Sequence, residues 1–146
     1  MPVYHLCILT FRLAKEFSYN KKEKLKSKRQ LDQLFQSGKS FAVFPVKIFY
    51  AFAEEQVNVI KTGVGVSSRH FKSAVHRNRI KRLLREAYRT EKQPLHAYLN
   101  NNRKQLVLFL LFIDKELPQY VLLKEKMKLC IQRLIHVLNE VDIKNT

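Results

Sequence analysis

Acidic side chains are scarce in this chain: 12 Asp and Glu face 28 Lys and Arg, leaving a net charge of +16 over 146 residues. Such a balance points to an anionic macromolecule as partner. The acids are also scattered, with Asp32 and Asp114 each isolated, so no pair is spaced for two-metal nuclease chemistry; both are expected at the surface or in caps. Three glycines form no phosphate-cradling loop, no Ser/His/Asp order is present, and with only four prolines no linker is visible. One domain and no catalytic constellation are therefore expected.

The two cysteines, Cys7 and Cys130, lie far apart and outside any C-x-x-C, which argues for a reducing compartment, with the cytoplasm as the expected location. His5, His70, His76, His96 and His136 show no metal spacing, so no zinc site, protein-bound metal or cofactor is expected. The longest apolar run, Leu106–Ile113, is far shorter than the ~20 residues a membrane span needs, and the basic helix lacks the Trp/Phe-rich rim of an interfacial one. No membrane partner is expected.

What is present is a concentrated cationic helix. In AVHRNRIKRLLREAYR, Ala74 to Arg89, helical spacing puts Ile80, Leu83, Leu84, Ala87 and Tyr88 on one side. Asn78, Arg82, Arg85 and Arg89 fall on the other, with Lys81 beside them. Residues 61–92 hold ten Lys or Arg against Glu86 and Glu91, about half of the net charge in about a fifth of the chain. Like charges at Arg77, Lys81 and Arg85 cost an isolated helix about 0.2–0.5 kcal/mol per pair, which a phosphate backbone would offset. A solvated face is the bland alternative. Against it, five of the six cations from Arg77 to Arg89 are arginines, whose planar fork suits bidentate phosphate contacts and stacking on bases.

The rest of the chain frames this helix. Residues 1–10 make a poor signal peptide and are expected to be a flexible extension. Residues 12–29 form a second basic block, after which Ser27 caps a helix over 28–37 with the stripe Leu31, Leu34, Phe35 and a stop at Gly38. Phe41–Ala53 alternates as a strand: Val46, Ile48, Tyr50 and Phe52 face the core, and Lys47, Phe49 and Ala51 lie opposite. A ring and a cation on one sheet face suit unpaired RNA. Glu54–Gln56 reads as a turn, Val57–Ser68 as a strand in which Gly63 and Gly65 leave room for a close backbone approach. Pro94 and Asn100–Asn102 mark a loop. Leu106–Ile113 fits a strand covered on both faces, and Pro118 opens a helix with Leu123, Met127, Cys130, Leu134 and Leu138 inward. The order is helix, strand, strand, helix, strand, helix: a single α/β (α+β) sandwich.

The run Arg77-Asn78-Arg79-Ile80-Lys81-Arg82, preceded by Ala74-Val75, followed by Leu84-Arg85-Glu86-Ala87-Tyr88-Arg89 and approached by Gly63-Val64-Gly65-Val66-Ser67, resembles the signature helix of the bacterial ribonuclease P protein subunit. The likeness extends from about Phe11 to Leu138. It implies a domain over 11–141 with a short tail at 142–146, in the family's ribosomal-protein-like fold with its left-handed crossover. It also implies a function. An RNA subunit carries the active site and its magnesium ions, and the protein assists removal of the 5′ leader from precursor tRNA. By resemblance, Arg77, Asn78, Arg79, Lys81, Arg82, Arg85 and Arg89, with Arg69 and Lys72, would dock on the catalytic RNA, and Phe35, Lys39, Lys47, Phe49 and Ser67 would line the leader cleft. Two departures stand out: Leu31 occupies a position that is commonly aromatic in the family, and Ser67-Ser68-Arg69 replaces Ser-Lys-Lys. The expected partners are ribonuclease P RNA and precursor tRNA, with the protein monomeric on its own. DNA is not expected, because no second helix precedes the basic one at turn distance. A structural ribosomal protein is the rival reading; it would share the charge and the sheet but confer no precursor processing.

Overall fold

A computed structural model describes Tyr19, residues 21–53 and residues 60–145. The expected extension at 1–10, Cys7, His5, the first basic residues Arg12 and Lys15, the turn at 54–56 and the first residues of the strand after it lie outside the described residues.

A 3-10 turn at Lys21–Glu23 leads into α1 (Lys28–Ser37), then β1 (Lys39–Val43), β2 (Val46–Phe52), β3 (Ile60–Val66), α2 (Ala74–Glu91), α3 (Gln93–Asn101), β4 (Leu106–Phe112) and α4 (Tyr120–Asn145). Both ends of α1 match their sequence signals. Ser27 Oγ accepts from Gln30 N at the start, and Gly38 N donates to Leu34 O at the end. Gly38 is needed there for space rather than for a left-handed backbone: a Cβ would stand 2.3 Å from Leu34 O.

Two elements differ from the sequence reading. Phe41–Ala53 is a hairpin, not one strand, because the chain reverses at Phe44-Pro45, where proline has no N–H to give a ladder. The expected loop after Pro94 is the helix α3. Pro94 sits at its start, where a missing amide costs nothing, and the asparagines form its last turn. Arg103, at φ 52°, stops α3 in a left-handed conformation usually given to glycine, and Lys104 N then closes on Leu99 O.

The four strands run in the order β1-β2-β4-β3, antiparallel except for β3 beside β4, which are parallel and joined through α2 and α3. Register decides the faces. Val46, Ile48 and Tyr50 align with Phe112, Leu110 and Leu108, and Thr62 aligns with Leu108, so these share one face, buried under α2, α3 and α4. The apolar side of α2 (Ile80, Leu84, Ala87, Tyr88) and the α4 stripe Leu123, Met127, Cys130, Leu134, Leu138 complete that core, with Leu83 packed at its margin. Burial pushes the Cys130 thiol up to about 12, so it is an inert core group.

Two core expectations and one boundary are corrected. Phe52 is 45% exposed at the end of β2, where hollows lie open between it and Val141 of α4. β4 is fully covered on one face, whereas Phe109 and Leu111 on the other are half-exposed beneath the single helix α1. Residues 142–145 continue α4 instead of forming a tail, and Asp142 accepts from Tyr98 Oη and pairs with Lys104.

Tyr19 and residues 21–27 close the free edge of β3. Leu25 N and Tyr19 Oη both donate to Thr62 O, and Glu23 pairs at 2.7 Å with Lys92, which is 2% exposed. Such a pair is costly to break from one side, so it ties the basic block to the end of α2.

Candidate nucleic-acid interface

The outer face of α2 divides into engaged and available cations. Arg77 is half-buried; its Nη1 donates to Phe71 O at 2.8 Å and Lys72 O at 2.7 Å, so it braces the loop that leads into the helix. Arg89 forms a forked pair with Glu86, whose carboxyl it holds below the usual range. Asn78, Arg79, Arg82 and Arg85 are exposed, Lys81 is half-buried, and no acid pairs with Arg79, Arg82 or Arg85 among the described residues. The helix therefore keeps three guanidinium groups uncompensated in solvent, at the like-charge cost already noted.

Arg69 and Lys72 stand exposed on the turn after β3, where Ser67 organises the backbone: its carbonyl accepts from His70 and Phe71, and its hydroxyl from Arg69 N. They adjoin the start of α2. His70 and His76 are exposed nearby.

A second surface lies on the sheet face away from the core. The register aligns Lys47 with Leu111, Phe49 with Phe109, and Phe109 with Gly63. Phe35 reaches down from α1 and meets Phe49 edge-on at 5.0 Å and Phe109 edge-on at 5.1 Å. Phe35 thus holds two rings at once, each pair worth about 0.5–1.5 kcal/mol beyond burial. Lys47 Nζ lies 5.0 Å from the Phe49 ring centre, so cation and ring stand together as the alternation predicts.

Phe109 is the functional candidate that sequence reasoning missed. It was hidden in an apolar run read as covered on both sides. The glycines explain how its ring is accommodated: a Cβ on Gly63 would stand 2.9 Å from Phe109 Cδ2, and one on Gly65 2.6 Å from its Cζ. These glycines leave room for a ring lying over β3, not for the backbone expected.

A groove at the β3 edge carries Leu31, Gly63, Val64 and Phe109 together with Lys24, Lys26 and Arg85. It connects the aromatic cluster to the cationic helix. Leu31 lines it as an apolar wall. Ser67 follows Gly65 at the end of β3. Lys39, in contrast, begins β1 opposite Tyr50, on the core-side face of the sheet, so the structure does not bring it to the rings.

Cationic forks beside clustered rings can hold phosphates and unpaired bases; among the described residues no three of His, Cys, Asp or Glu converge on a point that could hold a metal ion. No described helix is long and apolar enough to cross a membrane.

Fold and surface together define an α/β RNA-binding protein. The chain belongs to the ribonuclease P protein family, whose profile, described as Ribonuclease P, matches residues 19–134. It is 30% identical over 130 residues to the ribonuclease P protein component of Porphyromonas gingivalis strain W83, covering 88% of this chain and 95% of that one. It is 35% identical over 130 residues to the component of Chlorobium phaeobacteroides, covering 82% and 86% respectively. The fold is similar to that of the RNase P protein from Thermotoga maritima, with a TM-score of 0.57 at 20% identity over 76% of this chain and 96% of that one.

Proposed function

We propose that this chain is a ribonuclease P subunit that binds the catalytic RNA through α2 and the single-stranded 5′ leader of precursor tRNA through the aromatic cleft. It assists cleavage without contributing a reacting group. Family membership supports a role in tRNA processing. The observation that carries the finer reading is the pairing of two unlike surfaces: uncompensated Arg79, Arg82 and Arg85 on one helix, and the Phe35/Phe49/Phe109 cluster with Lys47 on the adjoining sheet.

Each surface has a definite task. The helix contacts a folded RNA through phosphates and shape, which position without reading sequence. The rings take unpaired bases, each stack worth ~1–3 kcal/mol, and so favour a substrate with a loose 5′ end over a product without one. The magnesium of the holoenzyme sits on the RNA, and the protein's cations lower the repulsion between ribozyme and substrate that magnesium otherwise has to screen.

Reconstitution with the cognate catalytic RNA at low magnesium tests this. Adding the protein is expected to restore cleavage of precursor tRNA at its mature 5′ end. An unaltered rate, or cleavage by the protein without RNA, would overturn the assignment; co-sedimentation with ribosomal subunits and no effect on processing would favour a structural ribosomal protein.

A further inference from the structure

The cleft with the three rings uses one flank of α1. The other flank carries a hollow of about 370 Å³ that no part of the reading above employs, in the size range of small-molecule sites. Its floor is apolar, made by Leu34, Ala51 and Val107, and Phe52 forms a wall at the end of β2. Gln30 and Gln33 supply amides from α1. No charged side chain lines it, so its chemistry suits a flat neutral group rather than a phosphate.

Two details make this more than a crevice. Phe52 is a core-register residue left 45% exposed, with the Lys104 ammonium 5.2 Å from its ring centre. An exposed ring polarised by a cation is a ready stacking platform. Gln30 Oε1 is sealed from solvent with no hydrogen-bond partner, an unmet bond that costs about 1–3 kcal/mol, and a rotation of this amide toward the hollow it lines would let the oxygen accept from a donor there. The ring N–H and amino groups of nucleobases are such donors, and an amide can match a base edge with donor and acceptor together. Phe52 also lines a second hollow of about 490 Å³ with the exposed Arg103 and with Lys104, the latter already paired to Asp142. Arg103 thus offers a cation for the phosphate attached to a base in the first hollow.

We propose that this hollow is a nucleotide pocket for one unpaired base of RNA, stacked on Phe52 and hydrogen-bonded by Gln30 and Gln33. The inference rests on the RNA-binding role proposed above and adds a site distinct from the three-ring cleft. The same chemistry could come from a leader nucleotide beyond the cleft or from an unpaired nucleotide of the catalytic RNA.

Phe52→Leu keeps apolar bulk while removing the stacking face, and Phe52→Tyr restores it. With the reconstituted holoenzyme, affinity is measured for precursors whose leaders are lengthened one nucleotide at a time; with the protein, affinity is measured for the catalytic RNA alone. Phe49→Ala is run in parallel. Phe52→Leu is expected to lose about five- to hundred-fold in one arm, with Phe52→Tyr near wild type. Loss that begins above a threshold leader length assigns the base to the leader, and loss with catalytic RNA alone assigns it to the ribozyme. Unchanged affinity in both arms, while Phe49→Ala still weakens binding of precursor more than of mature tRNA, would overturn the pocket and leave the cleft intact. If Phe49→Ala is silent as well, the leader-binding reading fails with it. A loss that Phe52→Tyr does not rescue would also overturn the pocket, since it would reflect packing rather than stacking.

Discussion

The cationic helix and the aromatic cleft are built with opposite economies of structure. On α2 the functional groups are extended and largely unheld: Arg79, Arg82 and Arg85 have no acid partner among the described residues, and they need only lie on one side of a helix. In the cleft every group is held by another. Phe35 rests on Phe49 and Phe109, Phe109 lies where Gly63 and Gly65 leave space, and Lys47 covers Phe49. A surface that binds many phosphates tolerates loose side chains, because its partner supplies the order. A surface that must stack a few bases needs its rings fixed beforehand, since ordering them on binding would consume the 1–3 kcal/mol each stack provides.

The largest expected effect comes from the helix. Arg82→Ala with Arg85→Ala should weaken binding to catalytic RNA by more than tenfold and reduce the log–log salt slope by roughly 1.5–2, as two phosphate contacts vanish. The fold should persist, both side chains being exposed. A salt titration checks this, and an unaltered slope would remove that face from the interface. Arg77→Ala should behave differently, because its guanidinium braces Phe71 O and Lys72 O: thermal stability should fall as well as affinity, unlike the outward pair.

Next in size is the cleft. Phe49→Ala should cost ~1–3 kcal/mol of affinity for precursor with a long leader and little for mature tRNA. Equal losses for the two RNAs would dismiss the cleft. Gly65→Ala sharpens the point without touching a ring: its Cβ would meet Phe109 Cζ at 2.6 Å, so the ring must move. About 1–3 kcal/mol of stability and part of the precursor preference should go together, readable by melting and by competition binding.

The smallest effect concerns pH, and it falls on neither surface. Burial and then the Lys92 ammonium hold His96 below its usual 6.5, with Glu23 pulling the other way. The unfolded chain takes up the proton first as pH falls. Stability present above pH 6.5 is therefore lost on acidification through the lower folded value, and His96→Gln should flatten that part of the stability profile. RNA affinity of the folded protein at neutral pH should be unchanged by the substitution.

The two regions also differed in how far they could be read from the chain. The helix was legible because its signal is local: Ile80, Leu84, Ala87 and Tyr88 recur at helical spacing, and all four are buried. The cap at Ser27 and the α4 stripe were legible for the same reason. The cleft was legible only in part. Alternation along β2 placed Lys47 and Phe49 correctly, but Phe109 is recruited by pairing between β2 and β4, which no single segment reveals. Lys39 is expected at the rings only through the family resemblance, and strand register puts it opposite Tyr50 on the other face. Parity along β2 predicts Phe52 in the core, which is right for the strand but does not show the hollows that leave its ring open beside Val141. The α3 helix was missed because Pro94 and three asparagines are ordinary loop residues that here occupy its first and last turns.

Separability of the two surfaces is the central claim, and one measurement reaches it directly: equilibrium binding of the catalytic RNA alone, with no substrate present, to wild-type protein, Phe49→Ala and the Arg82/Arg85 double alanine variant. The account predicts that Phe49→Ala binds as wild type does while the double variant loses more than tenfold. Equal losses in both, or none in the arginine variant, would contradict it.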